Sequence, residues 1–308
     1  MYLTIQMQAE LADVEKVSLF KHMKPIVFLI LVIQSTFSFG QKVIDVEALK
    51  TFNVSEESQK INQAYADNMF FGLFGVKHFI NALNVNYKGV KSITITSNAN
   101  PKIKTPVYKA LYTKDGKIDM FEISEQIGEA LQVKYEYREG VIQKETIHYQ
   151  DKNATENTFY YNQDKMYIQK PEQKFEIVWL DGNVLLKKIY THQQLDTEDR
   201  VMHNCRITKS FGKDVNKICF NDVNFKLPLI ITDYVPEVET TSKKITLVKG
   251  NQSVIKAIDQ NQFVIIIKGK ERFQVNLDKD KRIKSFNYLG NPALKEAPIS
   301  FTFAYTMY

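Results

Sequence analysis

From about Val90 to the C-terminus, apolar and polar residues alternate with a period of two. Ser92-Ile93-Thr94-Ile95-Thr96 is rich in β-branched residues and alternates cleanly. Leu131, Val133, Tyr135 and Tyr137 fall on one face of a strand, and Gln132, Lys134, Glu136 and Arg138 on the other. That predicts a sheet with one buried and one wet face. Phe263-Val264-Ile265-Ile266-Ile267 is apolar on both faces and predicts a central strand. Phe273, Val275 and Leu277 alternate with polar residues up to a turn at Asp278-Lys279-Asp280, and Ile283–Leu289 is the expected return strand. Turn residues separate these runs at Lys114-Asp115-Gly116, Arg138-Glu139-Gly140, Asn162-Gln163-Asp164 and Asp181-Gly182, where tight hairpins need positive φ angles. Pro228 and Pro236 bracket a strand expected at an edge or crossover.

Before Val90 the period is helical. Asn53 with Glu56 forms a candidate capping box, and Ile61, Ala64, Tyr65 and Asn68 share one face. The pattern runs into the aromatic cluster of Phe70, Phe71 and Phe74, then into a second helical stretch over Val76–Leu83. A helix packed on a sheet accounts for both. The fold class expected is mainly β: a long antiparallel meander, built as a curved sheet, half-barrel or sandwich, with an N-terminal helical segment. The divisions expected are 1–40 as a signal region, 41–89 as the helical segment and 90–308 as the antiparallel β domain.

The signal assignment rests on an internal start at Met23. Lys21 and Lys24 precede an apolar run from Ile26 to Ile33, followed by small residues at Ser38 and Gly40, the pattern of a secretory signal peptide cleaved after Gly40. The run is too short to span a bilayer, which needs about 20 residues, so no transmembrane helix is expected after cleavage. Residues 1–22 are unlike a signal n-region and read as an early start or a clipped extension. No cysteine follows the apolar run, so no lipid anchor is expected. The localisation expected is periplasmic, outer-membrane-associated or extracellular.

The charge is +6, from 41 basic and 35 acidic side chains. Residues 1–40 hold three lysines against three acids, so their removal leaves it unchanged. Lysines and acids are interspersed along the chain, which argues for a solvated surface and against a nucleic-acid partner.

Three hairpins share a form, an aromatic, polar turn residues with Gly, then an aliphatic: Tyr112 to Ile118, Tyr137 to Ile142 and Trp179 to Val184. In this they resemble the hairpin unit of YD/Rhs-type secreted repeat proteins, without the Tyr-Asp dipeptide. The resemblance implies a structural or binding role and no catalytic residue.

Cys205 and Cys219 are the two cysteines, and they flank a turn at Phe211-Gly212-Lys213-Asp214. A hairpin centred on Gly212 sets them opposite one another, at a Cβ separation close to what a disulfide needs. An oxidising compartment favours the bond, which would close a loop of about 15 residues and contribute about 3 kcal/mol in the chain-entropy model. His203 is placed on the same strand face as Cys205, yet no fourth ligand or zinc spacing accompanies it, so no metal site is assigned. His78, His148 and His192 are isolated. Asp196, Glu198 and Asp199 form an acidic cluster read as a solvated loop, with calcium binding or acid/base work as the alternative. No nucleophile motif or phosphate-binding glycine loop is present, and no cofactor is expected.

The last strand, Ile299 to Tyr308, ends in an aromatic, as outer-membrane barrels do. Its apolar face is Phe301, Phe303, Tyr305 and Met307, however, and Tyr308 lies opposite. The function expected is a non-enzymatic, exported cell-envelope binding or structural protein, holding an apolar ligand, glycan or protein partner. The alternatives are a hydrolase of envelope polymers using acids such as Asp196 and Glu198, and an outer-membrane barrel. The intact mass of protein from the exporting cell is expected to start at Gln41 and to gain two hydrogens on reduction. A mass starting at Met1 with two free thiols overturns the export argument.

Overall fold

The structure, a computed structural model, describes residues 44–49, 54–72, 83, 85–99, 102, 105–125, 129–150, 152–238, 245–290 and 295–308. Ile44–Tyr308 form one compact unit. The signal region, Asn53, Phe74, His78 and most of Val76–Leu83 lie outside the described residues, as do the side chains of Phe70 and Phe71. Among the described residues no helix is long and apolar enough to cross a membrane.

Among the described residues two helices come first, α1 (Val46–Leu49) and α2 (Glu56–Gly72). Eighteen strands follow. The first nine are β1 (Val90–Ser97), β2 (Tyr108–Tyr112), β3 (Ile118–Ile123), β4 (Leu131–Arg138), β5 (Val141–Tyr149), β6 (Thr155–Asn162), β7 (Lys165–Lys170), β8 (Lys174–Asp181) and β9 (Val184–Thr191). The second nine are β10 (Gln194–Met202), β11 (Cys205–Ser210), β12 (Lys213–Phe220), β13 (Leu229–Val238), β14 (Ile245–Ala257), β15 (Gln262–Ile267), β16 (Lys270–Leu277), β17 (Ile283–Tyr288) and β18 (Ile299–Met307). Each strand pairs antiparallel with its sequence neighbours, and β1 pairs with β18 from Val90↔Met307 to Ser97↔Phe301. The expected meander is therefore present, and it closes on itself as an 18-stranded barrel.

Closure has a direct consequence for the prolines. A ring has no edge, so the strand between Pro228 and Pro236 is not an edge strand. β13 instead runs through Pro236, which pairs with Leu247 on the β14 side. On the other side the β12 pairing ends at Lys217↔Tyr234, so the missing N–H of Pro236 interrupts no ladder there.

Side-chain parity sets the two faces of the wall. Val133 and Tyr135 of β4 are buried while Lys134, Glu136 and Arg138 are exposed. The buried parity continues through Phe121, Phe159 and Tyr161 in one direction and through Ile95, Phe303, Phe286, Val275 and Ile265 in the other, and all belong to one apolar cluster. Phe263, Val264 and Ile265 are all buried, as the double-sided pattern of this strand predicts. In β18, Phe303 is buried and Phe301 and Tyr305 pack against the same cluster, so its aromatic face points inward.

A ring this wide is not filled by its own side chains. Helix α2 packs inside it, with Ser58, Ile61, Asn62, Tyr65 and Ala66 buried against the inner face of β3, β5, β7, β8 and β9. Its N-terminus starts at Ser55, two residues later than the Asn53 box predicts. The Ser55 hydroxyl accepts from the Ser58 amide at 3.1 Å, and the Ser58 hydroxyl accepts from the Ser55 amide at 3.2 Å. Both hydroxyls also contact the Gln163 carbonyl in the β6–β7 turn, which fixes the helix to the wall. Helix α1 lies on the other side of the wall. There Ile44, Leu49, Phe175 and Tyr190 form a smaller cluster with Tyr160, Tyr167 and Ile177.

Asn62 carries a buried polar anchor. Its amide nitrogen donates to the Tyr161 hydroxyl at 2.6 Å, and its carbonyl oxygen accepts from the Ile142 amide at 3.2 Å, beside a bulge in β5. Tyr161 in turn donates to the Ile142 carbonyl at 2.6 Å. Asn62→Ala would leave a buried amide unpaired. It is expected to destabilise the protein by about 2–3 kcal/mol, read as a lower urea midpoint with unchanged slope; a shift within error would show that the anchor is dispensable.

Candidate functional site

Where helix α2 meets the wall two acids are found, in different settings. The first is Glu145 on β5, fully buried on the inner face. It accepts from the Asn157 amide at 2.6 Å and from the Tyr65 hydroxyl at 3.3 Å. Burial pushes its carboxyl up, opposed by the Asn157 bond and the charge of Lys170. Lys170 is itself paired with Glu176 at 2.8 Å. This site is enclosed, so it ties the helix to β5 and β6 and offers no access to a ligand.

The second acid is Asp67, half-buried near the C-terminal end of α2, and it opens on a cleft of about 570 Å³. Val85 and Tyr87 form one wall and Leu180 and Asn183 another. The Asn183 side is held rigidly, because its amide N–H donates to the Val223 carbonyl at 2.8 Å and its side chain donates to the Asn224 carbonyl at 2.7 Å. Gly182 is required at this turn. Its φ is +58°, and a Cβ there would stand 2.8 Å from the Val223 carbonyl oxygen. Asp67 accepts from the Gln63 amide at 3.0 Å, and among the described residues it forms no ion pair. Burial pushes its carboxyl up to about 7, partly offset by the Gln63 bond. Behind it Tyr87 stacks on Tyr112 with ring centroids 5.2 Å apart. The buried Tyr112 hydroxyl has no hydrogen-bond partner among the described residues.

A third feature is a cleft of about 590 Å³ at one rim of the barrel, across β2 to β5. Lys109, Glu122, Gln132 and His148 line up across it in register on the outer face. Gln132 donates to Glu122 at 2.8 Å.

The residues singled out in the sequence fall as follows. Cys205 and Cys219 form a disulfide with Cα atoms 3.9 Å apart, directly opposed in register. The opposition arises differently from the expectation. The hairpin turns on two residues, Phe211 and Gly212, and a bulge between Thr208 and Lys209 shifts the register by one to align the cysteines. His203 is not on the strand face of Cys205. It sits in the two-residue turn His203-Asn204 with φ +51°.

Asp196, Glu198 and Asp199 are not a loop; they lie within β10. Glu198 pairs with Lys188 at 2.7 Å, and that hydrogen bond chiefly holds its carboxyl below the usual range. Asp199 is buried on the opposite face, accepting from Thr208 at 2.6 Å and from the Lys187 amide at 3.3 Å. Asp196 accepts from Thr191. The three acids do not converge, and Glu198 is held ionised, the reverse of what a general acid needs. Among the described residues no group of three His, Cys, Asp or Glu is placed to hold a metal.

Asp67 has no sequence signal. It is one acid among several on a helix, and what distinguishes it is the wall around it.

No known protein family matches the chain, and no curated protein does. Among solved structures it is similar to a porin-like protein from Bacteroides uniformis, at 11% identity and a TM-score of 0.36, over 73% of this chain and all of that one. A likeness at that level carries no functional argument.

Asp67 generates a pH dependence with a definite sign. Its folded value of about 7 lies above the ordinary 3.8, so the folded state holds the proton more tightly. Its contribution to stability is therefore lost as pH rises from about 4 to above 7, by on the order of 2 kcal/mol after solvent screening at this half-buried site. Asp67→Asn is expected to remove that slope in urea unfolding series at several pH values; an unchanged slope would mean the carboxyl is not the titrating group.

Proposed function

We propose that the chain is an exported, water-soluble binding protein of the cell envelope, without enzymatic activity. The observation that carries this reading is the polarity of the wall. The apolar face of the strands points inward, onto α2 at β3, β5, β7, β8 and β9, and the outer face of β2 to β4 carries Lys109, Glu122, Lys134, Glu136 and Arg138. A lipid-facing barrel needs the reverse, an apolar outer band about 25 Å tall. Strand length points the same way. β2 has five residues and β3, β7, β11, β15 and β17 have six, whereas a membrane strand takes about 9–11.

The closed ring also narrows how a partner is held. With no free strand edge, recognition by strand addition is unavailable, and ligands meet clefts at the rim or beside α2.

A second reading, an outer-membrane barrel, is favoured by ring closure itself, since only a closed sheet satisfies its backbone in lipid. Fractionation of the exporting cell's envelope separates the two. The expected result is recovery in the soluble fraction without detergent, as one monodisperse species on gel filtration. Recovery only by detergent extraction of the outer membrane would overturn the soluble reading in favour of the second.

A further inference from the structure

We infer that the cleft beside Asp67 binds a small organic ammonium ion, with its charged nitrogen on the Asp67 carboxylate and its apolar body against Tyr87 and Leu180. This names the ligand class for the binding role proposed above and rests on that reading.

The first support is an uncompensated acid. Among the described residues the Asp67 carboxylate meets only the Gln63 amide, and no lysine, arginine or histidine pairs with it. The basic residue of the same helix, Lys60, is already held by Glu56 and Glu57, each at 3.4 Å. A half-buried carboxylate in such a setting takes up either a proton or a cation.

The second support is what surrounds it. The cleft around Asp67 is lined by Tyr87, Leu180, Gln63, Glu57 and Lys60, and its one cation among the described residues, Lys60, is held by the two glutamates Glu56 and Glu57. Tyr87, held by stacking on the buried Tyr112, supplies at the cleft an aromatic ring of the kind that attracts organic cations. Of the charges at the cleft, Glu57 and Lys60 pair with one another, which leaves Asp67 to set the sign for a ligand.

A bare metal ion fits poorly. Calcium asks for six to eight oxygens and zinc for several His, Cys or carboxylate ligands, whereas much of this wall is Ala64, Val85 and Leu180. The cleft, about 570 Å³, lies within the range of small-molecule sites.

The test uses the full folded chain and phenethylammonium as probe, titrated by calorimetry. Binding is expected at about pH 8. It should weaken about tenfold or more at about pH 5.5, where Asp67 is protonated, and by a similar factor in Asp67→Asn. The asparagine carbonyl can keep the Gln63 hydrogen bond, and an unchanged far-ultraviolet dichroism spectrum verifies that the variant is folded. The neutral analogue 2-phenylethanol should bind at least about tenfold more weakly than the ammonium. No binding at about pH 8, equal affinity in Asp67→Asn, or equal affinity for the neutral analogue would each overturn the inference. Recovery of the protein only from the outer membrane would defeat the soluble reading separately. The same titration in detergent would then still decide the cleft.

Discussion

The structure depends on the pairing of β1 with β18. That one ladder converts a linear meander into a ring and removes the two edges that an 18-stranded sheet would otherwise present to solvent and to other chains. Closure also creates the problem that the rest of the fold answers. A ring of this size encloses more space than its inward side chains fill, and an empty interior lined with Phe, Tyr and Ile would be wet and unstable. Helix α2 supplies the packing, and its Asn62, Ser55 and Ser58 contacts settle where it sits.

The polar groups buried with the helix divide by accessibility. Around Glu145, the carboxylate accepts from Asn157 and Tyr65 inside the wall, so the cluster specifies the docking of α2. Around Asp67 the helix emerges at a cleft, and the compensation stops at one amide. Two carboxylates one helix apart in the same interior thus differ in role because one is enclosed and the other opens outward.

Register along the ring is set by the turns and corrected by bulges. Five hairpins turn on two residues with both φ angles positive, and two of these turns, His192-Gln193 and His203-Asn204, contain no glycine. Left-handed non-glycine residues cost on the order of 1 kcal/mol each, which the paired strands on either side must offset. The disulfide shows the bulges at work. With the two-residue turn alone, Cys205 would oppose Ile218; the extra residue on β12 brings it to Cys219.

The alternating pattern by itself determined the class of fold, the facing of strands such as β1, β4 and β16, and the presence of a helix before Val90. Period-two hydrophobicity and Gly-bearing turns are local signals, and the energy they report is local. The pairing of the two cysteines was legible for the same reason, because a hairpin opposes residues equidistant from its turn. Ring closure was not legible, since it joins residues more than two hundred positions apart whose side chains would look the same at a sandwich edge. The side of the wall on which each helix packs was equally hidden, and so were the glycine-free turns that placed His203 in a loop and Asp196, Glu198 and Asp199 in a strand. Asp67 belongs to this second group. Its chemistry comes from Tyr87, Leu180 and Asn183, brought to it from distant parts of the chain, and the burial that shifts its proton affinity exists only once the ring has closed around the helix.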